Sequence, residues 1–203
     1  MSHPAASGAA QVDRFITGLV ARLPDEDAVQ WAWTEGASEQ DLQRLRARWP
    51  QVPESLLALL ARVDGTHFRP CSKGEVCVPM LGSDLGDYPY YLRSVNQIFE
   101  DSAQWDDSIR TIYEEWLDEE PDILGAGIDA DVPMSRRLCF SHCVNNGGTS
   151  MLYLDFDPGP GGQAGQVVRY LHDPDGYVVI APGFDAYLQQ LIDGGYGFID
   201  QTA

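Results

Sequence analysis

The sequence predicts an α+β fold: a single domain with a twisted, mostly antiparallel sheet flanked by helices. Three observations predict it. Helical periodicity dominates residues 11–63. Short apolar runs separated by Gly, Pro, Asn and Asp fill residues 137–181. A last helical stripe follows from Phe184. Strands grouped together, rather than alternating with helices, argue against a parallel βαβ sheet. The chain has 203 residues, enough for one sizeable core. With 44% hydrophobic and 22% charged residues it reads as globular. Residues 1–10 are small and polar and read as a disordered tail, and residues 11–200 as one domain without repeats.

Val12, Phe15, Ile16, Leu19, Val20 and Leu23 form a helical stripe that Pro24 ends. Ser38 reads as an N-cap with Asp41 in the acidic position of a capping box. The helix behind it carries Leu42, Leu45 and Trp49. Pro53 suits the first turn of a leucine-rich helix, Leu56 to Val63, and Asp64-Gly65 stops it. Glu75 to Met80 and Tyr88 to Leu92 read as strands, with a loop at 82–87 between them and a short cap-and-turn element at Ser94 to Ile98. Ile109, Ile112, Tyr113, Trp116 and Leu117 predict one amphipathic helix over 104–120, closed by Pro121. Strands follow at 137–143 and 150–156 around the turn Asn145-Asn146-Gly147-Gly148. Gln166–Leu171 and Tyr177–Ala181 form a hairpin across His172-Asp173-Pro174-Asp175-Gly176. A helix from Phe184 to Ile192 ends before Gly194-Gly195.

Charge is the unusual property. Thirteen basic residues face thirty-one acidic ones, for a net charge of −18. Such a surface repels phosphate backbones and anionic lipid, which argues against direct nucleic-acid or membrane binding. It attracts a basic protein and accelerates the encounter at low salt. Residues 100–131 hold twelve carboxylates and one base, Arg110, and so carry −11 of the total. Asp106, Asp107, Glu114, Glu115, Asp118 and Glu119 are therefore expected to supply charge to a partner interface. Trp105, Tyr113 and Trp116 are expected to supply anchors if they face outward. No leader-like apolar run and no stretch long enough to span a membrane stand out, so a cytoplasmic location is expected.

Catalytic and metal motifs are weak. Cys71, Cys77, Cys139 and Cys143 contain no C-x-x-C pair, and free thiols are expected in place of bridges or a zinc site. Asp155 and Asp157 precede a Gly/Pro loop with no further side-chain ligands, so Asp155 is expected to bind turn amides. His142, His172, Cys139 and Asp173 could form a nucleophile–base set only if the fold united them. No G-x-S-x-G, H-E-x-x-H or P-loop occurs. The chain is expected to be no enzyme and to need no cofactor.

Two stretches carry a family resemblance. One is Gly36-Ala37-Ser38 with its helix, Pro53, the leucine-rich helix and Asp64-Gly65. The other runs from Gly147-Gly148 through Leu154-Asp155-Phe156-Asp157-Pro158, Gly165-Gln166-Val167-Val168, the Asp173 turn and Val178-Val179 to the helix at Phe184. Tyr90 to Ile98 adds a Leu-x-Ser-Val-x-x-Ile element. Together, over residues 31–193, they resemble the SUKH superfamily of Smi/Knr-type cell-wall-assembly regulators and bacterial immunity proteins. The resemblance implies helices around a twisted antiparallel sheet, no shared catalytic residues, and a cognate protein toxin as partner, a basic nuclease domain first among them. It implies as the alternative a regulatory or scaffold role without a toxin. Residues 137–143 lack the tryptophans common before the family's glycine pair, and the acidic helix lies outside the shared pattern.

Overall fold

The computed structural model describes residues 8–86, 88–145 and 147–199. The order begins with helices α1 (Gly8–Val20), α2 (Asp25–Trp31), α3 (Glu39–Arg48) and α4 (Glu54–Leu60). A small hairpin, β1 (Arg69–Cys71) and β2 (Gly74–Val76), follows. Then come β3 (Tyr91–Leu92) and the helices α5 (Val95–Gln104), α6 (Ile109–Tyr113) and α7 (Trp116–Glu119). Strands β4 (Leu138–Asn145), β5 (Gly148–Asp155), β6 (Gln166–Leu171) and β7 (Gly176–Ala181) precede α8 (Phe184–Asp193). The main sheet is an antiparallel meander, β3-β4-β5-β6-β7. The α+β class is as the sequence predicts.

Local chemistry sets the helix ends. Ser38 Oγ accepts the amide of Asp41 at 3.1 Å and donates to its carboxylate at 2.6 Å. The reciprocal partner is thus the Ser38 hydroxyl, where a full capping box would use the backbone N–H. Ser94 makes the full box: it accepts the Gln97 amide, and Gln97 Oε1 accepts the Ser94 amide at 3.0 Å. That box opens a ten-residue helix, longer than the cap-and-turn element expected there. Pro53 stands at the N-cap, one position before the helix it introduces.

Other expectations need correction. Residues 8–10, expected in the tail, form the first turn of α1, and residues 1–7 lie outside the described residues. Asn146 of the expected 145–148 turn and Asp87 of the expected 82–87 loop also lie outside them. The strand expected at 75–80 shortens to β2, and that expected at 88–92 to β3. The single acidic helix over 104–120 does not form. Ser108 caps a new helix by accepting the Thr111 amide at 3.1 Å, and Glu114 at φ 47° separates α6 from α7. A continuous helix would stack Glu114 on Asp118 and Glu115 on Glu119, like charges four apart.

The sheet has two covered faces. On one, Leu138, Phe140, Leu152, Leu154, Val167 and Ala181 pack against α1, α4 and α8. Leu45, Leu56, Leu59 and Leu60 are completely buried there, each contributing about 1.5–3 kcal/mol. Phe140 meets Phe184 and Tyr187 edge-on, at 5.4 and 5.8 Å between ring centres. On the other face Cys139, Tyr153, Val168 and Tyr177 pack against Ile109, Leu117, Ile128, Ala130 and Met134, the apolar residues of the acidic segment and its exit loop.

Candidate functional site

Register places one row of side chains across the second face: His142, Met151, Tyr170 and Tyr177, on four successive strands. Tyr153, Val168 and Val179 form the next row. The acidic segment covers only part of this face. Where it stops, Trp105, Ile112, Tyr113, Met151, Tyr170 and Tyr177 help line a groove of about 290 Å³. Thr149 also lines the groove, and Val144, its partner across β4 and β5, is 63% exposed.

Four side chains, Ile109, Leu117, Tyr113 and Arg137, hold the segment in place. Ile109 and Leu117 are buried in the second cluster. Tyr113 donates its hydroxyl to Asp175 at 2.6 Å, and Tyr170 donates to the other oxygen at 3.1 Å. Burial, reinforced for Tyr113 by the Asp175 carboxylate, raises both phenols above the ordinary range, so they remain O–H donors. Arg137, 1% exposed, donates to the carbonyls of Val132 and Asp129 at 3.0 and 2.6 Å. Its Nε lies 3.5 Å from the buried carboxylate of Asp155. Asp155 also accepts the Asp157 amide, the turn role the sequence suggests.

The predicted interface residues sort clearly. Trp105 is 51% exposed and Trp116 is 63% exposed, and Ile112 joins them at 45%. Tyr113 is half-buried. Asp107, Glu114, Glu115, Asp118 and Glu119 are exposed. Asp106 is exposed as a residue, and its carboxylate accepts the Ser135 hydroxyl at 2.5 Å. The segment thus exposes both carboxylates and large apolar side chains, and Trp105, Ile112 and Tyr113 meet at the groove. Ile112, Met151, Tyr153, Tyr170, Tyr177 and Asp175 are not among the expected site residues, although Ile112 falls in the helical stripe and the others in the strands and their turn. Their signal was apolar residues at both phases of β5, β6 and β7, which marks a sheet apolar on two faces.

A buried polar cluster lies beneath. Arg93 Nε and Nη2 clasp the Asp101 carboxylate at 2.8 and 2.7 Å. Arg93 Nη1 approaches His67 Nδ1 at 2.9 Å. His142 Nε2 lies 3.2 Å from Asp101 without hydrogen-bond alignment. Burial opposes the charge of Asp101, but His142 and Arg93 outweigh it and hold the carboxyl below its usual range. Burial, with His142 and Arg93 beside it, pulls His67 down to about 4.

Cys139 completes a buried group with Asp101 and His142, their donor atoms within 4.8 Å of one another. The chemistry is poor for a metal ion. Both Asp101 oxygens already serve Arg93, whose fixed charge opposes a second cation. Burial and the nearby Asp101 raise the Cys139 thiol well above its usual range, away from the thiolate a metal requires. Cys143 turns to the opposite core, where burial raises it to about 12. His172 packs on Gly148 at the turn of the β6–β7 hairpin, away from Cys139 and His142, with Nδ1 3.4 Å from Asp175.

The model of the SMI1 / KNR4 family (SUKH-1) matches residues 36–190 of the chain. No curated protein matches it. The helices of the described residues include none long and apolar enough to cross a membrane.

Proposed function

Because the chain belongs to the SMI1 / KNR4 family (SUKH-1), we propose that it is an immunity protein that neutralises a basic protein toxin by binding. A nuclease domain is the toxin class that fits best. It must present basic residues to phosphate, and a dense carboxylate surface competes for those residues. The chain acts in the cytoplasm by occlusion and not by catalysis. Its four cysteines are free thiols, in keeping with a reducing compartment.

One observation carries the reading: the short segment 105–119 exposes both its carboxylates and the large apolar side chains Trp105, Ile112 and Trp116, and Trp105 and Ile112 line one groove. Solvated charge alone would not require tryptophans at 51% and 63% exposure. In an interface the charges set the association rate, and the apolar side chains set residence time.

The test is co-expression with the toxin encoded beside this chain. The native chain is expected to restore growth. A variant with lysine at Asp106, Asp107, Glu114 and Glu115 is expected to fail while remaining folded. Full protection by that variant would remove the segment from the interface. Absence of any neighbouring toxin would favour the regulatory role instead.

A further inference from the structure

We infer that the groove beside the acidic segment is a receptor for one arginine side chain of the partner protein. The inference rests on reading this face as a partner-binding surface and deepens it. Trp105, Tyr113, Tyr153, Tyr170 and Tyr177 line the groove, so five aromatic rings surround about 290 Å³. Ligand pockets for drug-sized molecules start near ~300 Å³, so this space suits a single long side chain. Tyr153 and Tyr177 are buried and form the floor. Tyr113 stands at 86° to Tyr177, and Tyr170 lies 4.8 Å from it, so the rings make a corner and not one flat stack. Ring faces carry negative charge density and attract cations, guanidinium above all.

Two further features select a cation over a neutral apolar anchor. Asp175 draws both phenolic protons, from Tyr113 and Tyr170, toward itself. Those phenol oxygens can then only accept from an occupant, and guanidinium offers five donors. The adjoining segment contributes a net −11 over residues 100–131. Its single base, Arg110, is tied to Asp131 at 2.6 Å. The complementary partner is therefore a basic protein that presents an arginine flanked by further positive charge.

The experiment uses the full chain labelled at methionine methyl groups. Met134 and Met151 line the groove, and Met80 is buried in the helical core as an internal control. The probes are N-acetyl-arginine amide, its neutral isostere N-acetyl-citrulline amide, and N-acetyl-norleucine amide. Arginine amide is expected to shift Met134 and Met151, leave Met80 unmoved, and bind about five-fold more tightly than citrulline amide. Tyr170→Leu is expected to abolish the shifts with the Met80 signal retained. Equal binding by citrulline or norleucine amide would overturn the cation reading. So would arginine-induced shifts that survive Tyr170→Leu, or no shift with any probe. None of these readouts involves the toxin, so they succeed or fail apart from the growth-rescue test.

Discussion

Replacing Asp101 by alanine removes the centre of the buried polar cluster under the binding face. The side chains of Arg93 and Asp101 are 9% and 7% exposed. The variant therefore strands a guanidinium that had two short hydrogen bonds to the carboxylate, at 2.8 and 2.7 Å. Breaking such a buried pair from one side costs about 3–5 kcal/mol. Whole-protein stability is about 5–15 kcal/mol, so the loss is a large share. For a chain of this size each kcal/mol moves the melting temperature by about 2–4 °C, which gives a fall of ~6–20 °C. Urea unfolding followed by tryptophan fluorescence measures it. Replacing both partners by well-packed apolar residues, Arg93→Met with Asp101→Leu, is expected to recover most of the loss, because no orphan charge remains. A cost below about 1 kcal/mol for Asp101→Ala, the value of an exposed pair, would mean that solvent reaches Arg93 and that the pair is not desolvated.

Two other predictions concern stability. His67 titrates near 4 in the folded protein against an ordinary 6.5. As pH falls through 6.5 the unfolded chain takes up this proton first, so stability drops between pH 6.5 and 4 and the effect saturates below 4. Screening at this half-buried position reduces the effect to about 1–2 kcal/mol. In pH-dependent urea melts His67→Leu should flatten that part of the profile; an unchanged slope would show that the imidazole is not responsible. Gly65→Ala should destabilise by at least about 1–3 kcal/mol. Gly65 has φ +87°, and a Cβ there would stand 2.5 Å from the Ser94 amide nitrogen. A neutral result would mean that α5 moves freely away from the end of α4.

Much of the fold was legible because its signals are local. The strand over Gln166–Leu171 was read to the residue, the Ser38 cap depends on its own amide neighbours, and α8 carries a clear stripe. α2 was missed because none of its seven residues is fully buried and only Trp31 packs on the core, so it shows no hydrophobic period. β1, at three residues, is too short for alternation to register, and β2 holds only the start of the weak alternation at 75–80. The acidic helix failed for another reason. Its apolar spacing is helical, but the segment is held by tertiary contacts at Ile109, Tyr113 and Leu117 that fit a broken path. Charge was visible in composition, and the exposed tryptophans were suspected from it. The groove was not visible, because Tyr153, Tyr170 and Tyr177 come from three strands and meet only through register.

The central claim is that residues 105–119 steer and hold a basic protein. Its most direct test is the association rate with the toxin domain encoded beside this chain, measured against ionic strength. The rate is expected to fall at least about ten-fold from low to high salt. The lysine variant at Asp106, Asp107, Glu114 and Glu115 should lose that salt dependence along with the fast rate. Equal rates for both proteins at every salt concentration would contradict it.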